Sequence, residues 1–432
     1  MNTTSMPQGY TLTKGFRRYV FSLLFLLYFF DYVDRMIVTS LFPFIKADWG
    51  LSDAQCGMLV SAVYWSIVVF TFPASILVDR WSRKKSIGIM GILWSFATAA
   101  CAFAGTFGHL FAARTAIGIG EAGYAPGGTA MISGLYPEEK RSRMMGLWNA
   151  SIPLGCAVGI AVGGIVATHW GWRHAFGLVA IPGFIVSILV FFIKDYKTVE
   201  LVKTVEKSNN SQERVKMKAG DIVKEFMDRP SLILTYIGFT GMTFVTASLM
   251  TWLPTYFHRV HHLSESQAGV KAGIVMALAL FGAPLGGLIA DLWSKKRSGA
   301  RLLVSTISAL ASAVFLFVGF KFFEGNVQYI FLLLMGLSVV AFVPAAAAVT
   351  QDVVHPGLRA SSYAICVVVQ NLIGSALGPI YVGFLSDAYG IQTALLSLPL
   401  FLIFAGVIFF IGSFFYGKDV SKVEKIKLVA EQ

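Results

Sequence analysis

Apolar runs of about twenty residues recur along the chain, separated by short polar or basic loops. A helix of that length crosses a hydrocarbon core ~30 Å thick, and a helix satisfies its own backbone where no water can. The pattern predicts twelve such helices, at 19–42, 55–78, 86–106, 109–132, 144–168, 174–193, 231–256, 268–290, 301–321, 328–349, 361–385 and 392–416. Gly and Pro interrupt several, as membrane helices allow. The longest polar stretch, 194–230, holds nine Lys/Arg and seven Asp/Glu and divides the helices six and six. Within it, Asn209-Asn210-Ser211 reads as a flexible turn and 221–228 as a short amphipathic helix on the membrane surface. The predicted organisation is a tail at 1–18, a six-helix bundle at 19–193, a linker at 194–230 that lets two bundles rock, a second bundle at 231–416 and a tail at 417–432. The fold class is an all-α membrane protein.

The two halves repeat. Leu51-Ser52-Asp53-Ala54-Gln55-Cys56-Gly57 matches Leu263-Ser264-Glu265-Ser266-Gln267-Ala268-Gly269. The same offset carries Asp79, Trp81, Ser82, Arg83, Lys84 and Lys85 onto Asp291, Trp293, Ser294, Lys295, Lys296 and Arg297. Gly164 and Gly171 find counterparts in Gly383 and Gly390. Three matches in order, each at a span end, indicate duplicated six-helix halves of like orientation. Parallel repeats of this kind place a substrate site near the membrane midplane, in a central cavity between the halves.

Composition agrees: 56% of residues are hydrophobic and 13% charged, against roughly 25% charged in a soluble domain. The net charge of +12 would suggest nucleic acid in a soluble protein. Here about 28 Lys/Arg fall in the tails and alternate loops and about 5 in the opposite loops, a bias that puts both termini in the cytoplasm. It makes an inner or plasma membrane protein the expectation, with no nucleic-acid partner. Cys56, Cys101, Cys156 and Cys366 lie in or beside spans without paired spacing, so neither a disulfide framework nor a metal site is expected. His258, His261 and His262 read as an interfacial loop rather than a metal site. The first span is too long and too charged for a cleaved signal peptide.

Five ionisable residues fall inside predicted spans: Asp31, Asp34 and Arg35 in the first, Arg114 and Glu121 in the fourth. A charge at the bilayer centre costs at least ~2.5–3.5 kcal/mol, and such residues face a bundle interior or a wet cavity and mark substrate or ion pathways. Residues 31, 34 and 35 share one helix face, and 114, 118 and 121 form another stripe. A static ion-pair cluster joining two helices is the alternative to a functional role; buried pairs are weak stabilisers, which favours function. Spans seven and ten carry no charge, and Gln370 and Asn371 supply polarity on span eleven. Tyr28, Tyr124, Asn149, Gln370 and Asn371 are the uncharged polar candidates for the cavity. No activated nucleophile or His–carboxylate metal spacing suggests an enzyme. A channel also uses buried charge, but the duplicated architecture argues for alternating access.

Asp79-Arg80-Trp81-Ser82-Arg83-Lys84-Lys85 and its echo from Asp291 put an acid and a basic cluster at a cytoplasmic span end. This resembles the loop signature of the major facilitator superfamily, Gly-x-x-x-Asp-Arg-x-Gly-Arg-Arg. Gly287 fits its leading glycine in the second copy, Ser75 replaces it in the first, and Ser82 and Ser294 replace the internal one. The resemblance implies a cytoplasmic gate, for which Asp79, Arg80, Arg83, Lys84, Arg141, Asp291, Lys295, Lys296 and Arg359 are the candidates. Glycines 155, 159, 163 and 164 and glycines 282, 286 and 287 allow close helix approach. Ile160 stands where the superfamily's antiporter motif has Pro, so antiport is not inferred.

Arg114-x3-Gly118-x-Gly120-Glu121-Ala122-Gly123-Tyr124-x-Pro126, Gly171-Trp172-Arg173, Asn371-Leu372-Ile373-Gly374, Leu385-Ser386-Asp387 and Asp34-Arg35 together resemble the Spinster family and its bacterial relatives, over about 20–415. That resemblance implies proton-linked movement of amphipathic solutes, sphingoid phosphates and lysophospholipids among the animal members. The anion:cation symporters, which import sugar acids and other organic anions, share the Asp-Arg, Gly-Glu-Ala and Gly-Trp-Arg elements. The expected function is therefore secondary active transport of an amphipathic or anionic organic solute by alternating access, coupled to protons and without other cofactors, by a monomer. The alternatives are a sugar-acid proton symporter and a transporter-like nutrient sensor. Both families usually have Asn where this chain has Asp31; the extra carboxylate binds a proton or cation, or answers Arg35 or Arg114. The expected mechanism has Arg35 pair with Glu121 or with an anionic substrate head, while Arg114, nearer the outside, attracts an anion or locks the outer gate.

Overall fold

The computed structural model describes residues 14–136, 138–193, 225–355 and 358–423. Every predicted span has a helical counterpart, and the described residues contain no strand. The first half holds α1 (Lys14–Trp49), α2 (Asp53–Arg80), α3 (Arg83–Ala102), α4 (Phe107–Glu121), α5 (Tyr124–Leu135), α6 (Glu138–Asn149), α7 (Ser151–Trp170) and α8 (Trp172–Val190). The second holds α9 (Pro230–His261), α10 (Glu265–Ala277), α11 (Ala279–Ser294), α12 (Ala300–Phe322), α13 (Gly325–Ser338), α14 (Val343–Asp352), α15 (Arg359–Val369), a π-helical segment Gln370–Ser375, α16 (Ala376–Tyr389), α17 (Ile391–Leu396) and α18 (Leu398–Ser421).

Ten helical stretches among the described residues are long and apolar enough to cross a membrane. The two remaining predicted spans are α1, which carries Asp31, Asp34 and Arg35 in its middle, and the pair α4–α5, which breaks at Ala122–Gly123. The least membrane-like spans are thus the ones that hold the embedded charges. Breaks also fall in the fifth, eighth, tenth, eleventh and twelfth spans, where span length alone predicts continuous helices.

Local chemistry sets the helix starts. Ser52 and Gln55 form a reciprocal capping box at α2, with Gln55 N donating to Ser52 Oγ at 3.1 Å and Ser52 N donating to Gln55 Oε1 at 3.0 Å. Ser264 caps α10 in the equivalent position, accepting from Gln267 N at 3.3 Å. Ser82, where the loop signature has glycine, accepts from Lys85 N at 3.2 Å and caps α3. Gly171 and Gly390 share one conformation, φ +87° and +83° with ψ 154° at both. Only glycine adopts it without strain, so the repeat is visible in the backbone too.

Some boundaries differ from the sequence reading. His258 and His261 belong to the last turns of α9, not to a loop, and His262 closes the helix with a positive φ of 54°. The final helix runs on to Ser421 because Asp419 is buried and accepts from Ser231 N at 2.9 Å and Ser231 Oγ at 2.7 Å, capping α9. Most of the 194–230 linker, including 221–224 of its amphipathic segment, lies outside the described residues.

The chain divides into two compact units. One contains the described residues up to 193 together with Leu253–Ala277, and the other the remainder. The stretch 253–277 lies in the second predicted bundle by sequence but packs with the first unit. The reason is close backbone approach: a Cβ on Gly269 or Gly273 of α10 would come within 2.7 Å of the Ile160 or Ala157 carbonyl oxygen on α7.

Candidate functional site

In the first unit α1 lies against α7 along Gly155, Gly159 and Gly163, each of which meets α1 backbone. The absence of side chains on that face lets α1 pack closely on α7, and side chains join the opposite face of α1 to α4. That opposite face carries the three charges. Asp31, Asp34, Arg114 and Glu121 are at most 2% exposed and Arg35 is 9% exposed, so none faces lipid.

Arg35 is the centre. Its Nε donates to Glu121 Oε2 at 2.8 Å and one terminal nitrogen donates to both Asp31 oxygens, at 3.1 and 2.9 Å. The guanidinium also lies 4.7 Å from the Tyr32 ring centroid, where the ring face attracts the cation. Asp31 and Glu121 therefore share one cation, and among the described residues no donor reaches the buried Glu121 Oε1. Asp31, the departure from the usual Asn, pairs with Arg35 one turn away.

Asp34 has different company. Thr98 Oγ1 on α3 donates to its Oδ2 at 3.0 Å, while Oδ1 is buried with no partner among the described residues. Arg114 makes no carboxylate pair among the described residues. Its Nε donates to the Leu59 carbonyl at 3.1 Å and its terminal nitrogens donate to the Asp34 and Arg35 carbonyls at 2.9 and 3.0 Å. Arg114, expected at the outer gate or as an anion-attracting residue, is fully buried, and its donors reach the backbone of α1 and α2. The sequence reading missed Thr98, since a lone Thr in an apolar span carries no periodic signal.

An aromatic cluster adjoins the charges. Tyr28 stacks on Trp148 with centroids 4.2 Å apart, and lies 5.5 Å from Tyr124. Tyr124 donates to the Leu24 carbonyl, which also accepts from Trp148 Nε1 at 3.2 Å. Tyr28 and Tyr124, expected as polar residues of the cavity, are both buried in this cluster. Asn149 is exposed at the join of α6 and α7, and its neighbour Trp148 does the packing.

In the second unit Gln370 and Asn371 open the π-helical segment. Thr243 Oγ1 donates to Gln370 Oε1 and Ser375 Oγ to Asn371 Oδ1, both at 3.2 Å. A π-helical turn widens the helix and recurs at functional positions; sequence pattern did not reveal it.

Among the gate candidates, the side chains of Asp79, Arg80 and Arg141 lie outside the described residues, while Arg83 and Lys84 are half-buried. Lys295, Lys296 and Arg359 are exposed. Asp291 lies 3.7 Å from Arg301, which also pairs with Asp352; Tyr416 donates to Asp352 at 2.8 Å. Arg301, Asp352, Gln351 and Arg359 line a cleft of about 350 Å³. Arg301, Asp352 and Tyr416 were absent from the sequence candidates because each stands alone at a span end.

The family model for the major facilitator superfamily matches residues 24–379. Among curated proteins, the chain is 28% identical to the protein spinster homolog 1 of Xenopus laevis, over 93% of this chain and 81% of that protein. It is 26% identical to the hexuronate transporter of Bacillus subtilis (strain 168), over 85% and 87%. Among solved structures, a bacterial homolog of the human lysosomal transporter Spinster, inward-facing and unoccupied, superposes with a TM-score of 0.83 at 22% identity, covering 94% of this chain and 99% of that one. A D-xylose–proton symporter gives 0.72 at 18% identity, covering 95% and 100%.

Proposed function

The chain belongs to the major facilitator superfamily, and from that premise we propose that it carries an amphipathic organic anion across a cell membrane by alternating access, coupled to protons at the Asp31–Arg35–Glu121 cluster. It is a multi-pass membrane transporter and not an enzyme. The charge distribution of the loops supports cytoplasmic termini in an inner or plasma membrane.

One observation carries the coupling. Three carboxylates, Asp31, Asp34 and Glu121, are buried with two guanidiniums, Arg35 and Arg114. With all five ionised the site holds one uncompensated negative charge, which burial strongly disfavours. A proton on one carboxylate restores neutrality. Glu121 suits that role, because it shares Arg35 with Asp31 and no donor among the described residues reaches its other oxygen. Protonating Glu121 weakens its hold on Arg35, which then faces an anionic head group. Substrate anion and carboxylate compete for one cation, and the competition links solute to proton.

Tyr28, Tyr124, Trp94 and Trp148 beside the charges give a site with a charged head and an aromatic flank, which suits an amphipathic solute. Likeness to a hexuronate transporter supports a second reading, a small sugar-acid substrate. Proteoliposomes carrying an imposed pH gradient separate them. Uptake of a lysophospholipid supports the first, and uptake of a hexuronate alone supports the second. Solute-driven proton flux that persists unchanged in Glu121→Gln removes Glu121 from coupling.

A further inference from the structure

At the end of the first unit away from residue 14, Asp53 is buried to 1% exposure at the start of α2. Arg259, from the last turns of α9, grips it with both terminal nitrogens, at 2.6 Å to Oδ2 and 2.7 Å to Oδ1. Lys46 at the end of α1 also pairs with Oδ1. A two-pronged guanidinium–carboxylate pair is among the strongest polar contacts proteins make.

The internal repeat shows what is unusual here. The offset that maps Leu51–Gly57 onto Leu263–Gly269 carries Lys46 onto His258 and Asp53 onto Glu265. Each copy has its own local pair: Lys46 with Asp53, and His258 Nε2 at 3.9 Å from Glu265 Oε1. Arg259 maps onto Ala47, so the contact from the second copy to the first has no reverse partner. It is an addition to the duplicated plan. One turn before Arg259 on α9, Pro254 and Thr255 line, with Ser40, Pro43, His258 and Glu265, a crevice with no room for a water molecule, and α10 meets α7 backbone at Gly269 and Gly273.

We infer that Asp53 and Arg259 form the latch that holds this end of the transporter shut, with Lys46 as the counter-ion that lets it open. The inference rests on alternating access, in which Leu253–Ala277 must part from α1, α2 and α7 to admit solute from that side. Arg259 leaves with α9. Lys46 stays with Asp53, so opening strands no lone carboxylate in a buried position. The two cations act in opposite directions: Arg259 favours the closed end, and Lys46 lowers the cost of the open one.

The opposition is the test. Thr255 is buried in the crevice and its hydroxyl has no partner among the described residues, so Thr255→Cys, in a chain with its four cysteines replaced, reports opening through reaction with an impermeant maleimide added outside. Arg259→Ala is expected to raise the labelling rate several-fold, and Lys46→Ala to lower it. Monodisperse elution of each variant shows that it is folded. Rates that move in the same direction in both variants, as a packing defect would produce, overturn the latch. So does a rate indifferent to Arg259 in a reporter that still responds to an imposed pH gradient. A reporter whose labelling never responds to gradient or solute removes alternating access, and the latch with it.

Discussion

Arg35 Nε lies 2.8 Å from Glu121 Oε2, a buried contact across 86 residues that joins the first span to the fourth. The same guanidinium holds Asp31 one turn away, so two acids depend on one cation. Removing one member of a buried pair leaves an uncompensated charge and costs roughly 3–5 kcal/mol. Arg35→Ala should therefore lower the thermal midpoint of the purified protein and abolish solute uptake. Arg35→Lys should keep part of the stability and little of the uptake, since an ammonium cannot serve both acids with a planar fork. A wild-type midpoint in Arg35→Ala would show that the cluster contributes nothing to the fold.

Thr98 and Asp34 make a second, simpler test. The hydroxyl is the side-chain donor to Asp34 among the described residues. Thr98→Val preserves shape and removes the donor; a buried acceptor deprived of its partner costs about 1–3 kcal/mol. Uptake should fall in Thr98→Val and survive in Thr98→Ser, as initial rates in liposomes would reveal. Equal loss in both would mean that the methyl group, not the hydroxyl, matters.

Arg114 holds three carbonyl oxygens on two helices. Lysine has one nitrogen and cannot span them. Hydrogen bonds to a charged group contribute about 1.5–3 kcal/mol each, so Arg114→Lys should be clearly destabilised in a melting experiment. Because its contacts are to backbone, solute affinity measured on the surviving folded fraction should change less than in Arg35→Lys. An affinity loss at Arg114 larger than at Arg35 would return Arg114 to the substrate site.

The α1–α7 seam gives a prediction about packing alone. A Cβ on Gly159 would lie 2.7 Å from the Val33 carbonyl oxygen, whereas one on Gly177 of α8 meets nothing within 4 Å. Forcing an extra carbon into a packed interface costs typically ~1–3 kcal/mol. Gly159→Ala should reduce folded yield and melting temperature, and Gly177→Ala should leave both unchanged. Size-exclusion profiles of the two variants would decide it.

What the sequence determined by itself was local and periodic. Twelve apolar runs, the duplicated Leu51–Gly57 segment and the charges at 31, 34, 35, 114 and 121 are legible because span length, repetition and hydropathy are written residue by residue. The tertiary structure alone decided the partners. A guanidinium carries five donors and no sequence signal says which acceptors they reach. Packing on the glycine face of α7 fixes the rotation of α1, and that rotation gives Arg35 to Glu121 and Asp31 and gives Arg114 to carbonyl oxygens. The grip of Arg259 on Asp53 arises likewise from a contact between distant segments. Hydropathy registers how deeply a residue prefers to lie, and is silent about its neighbours there.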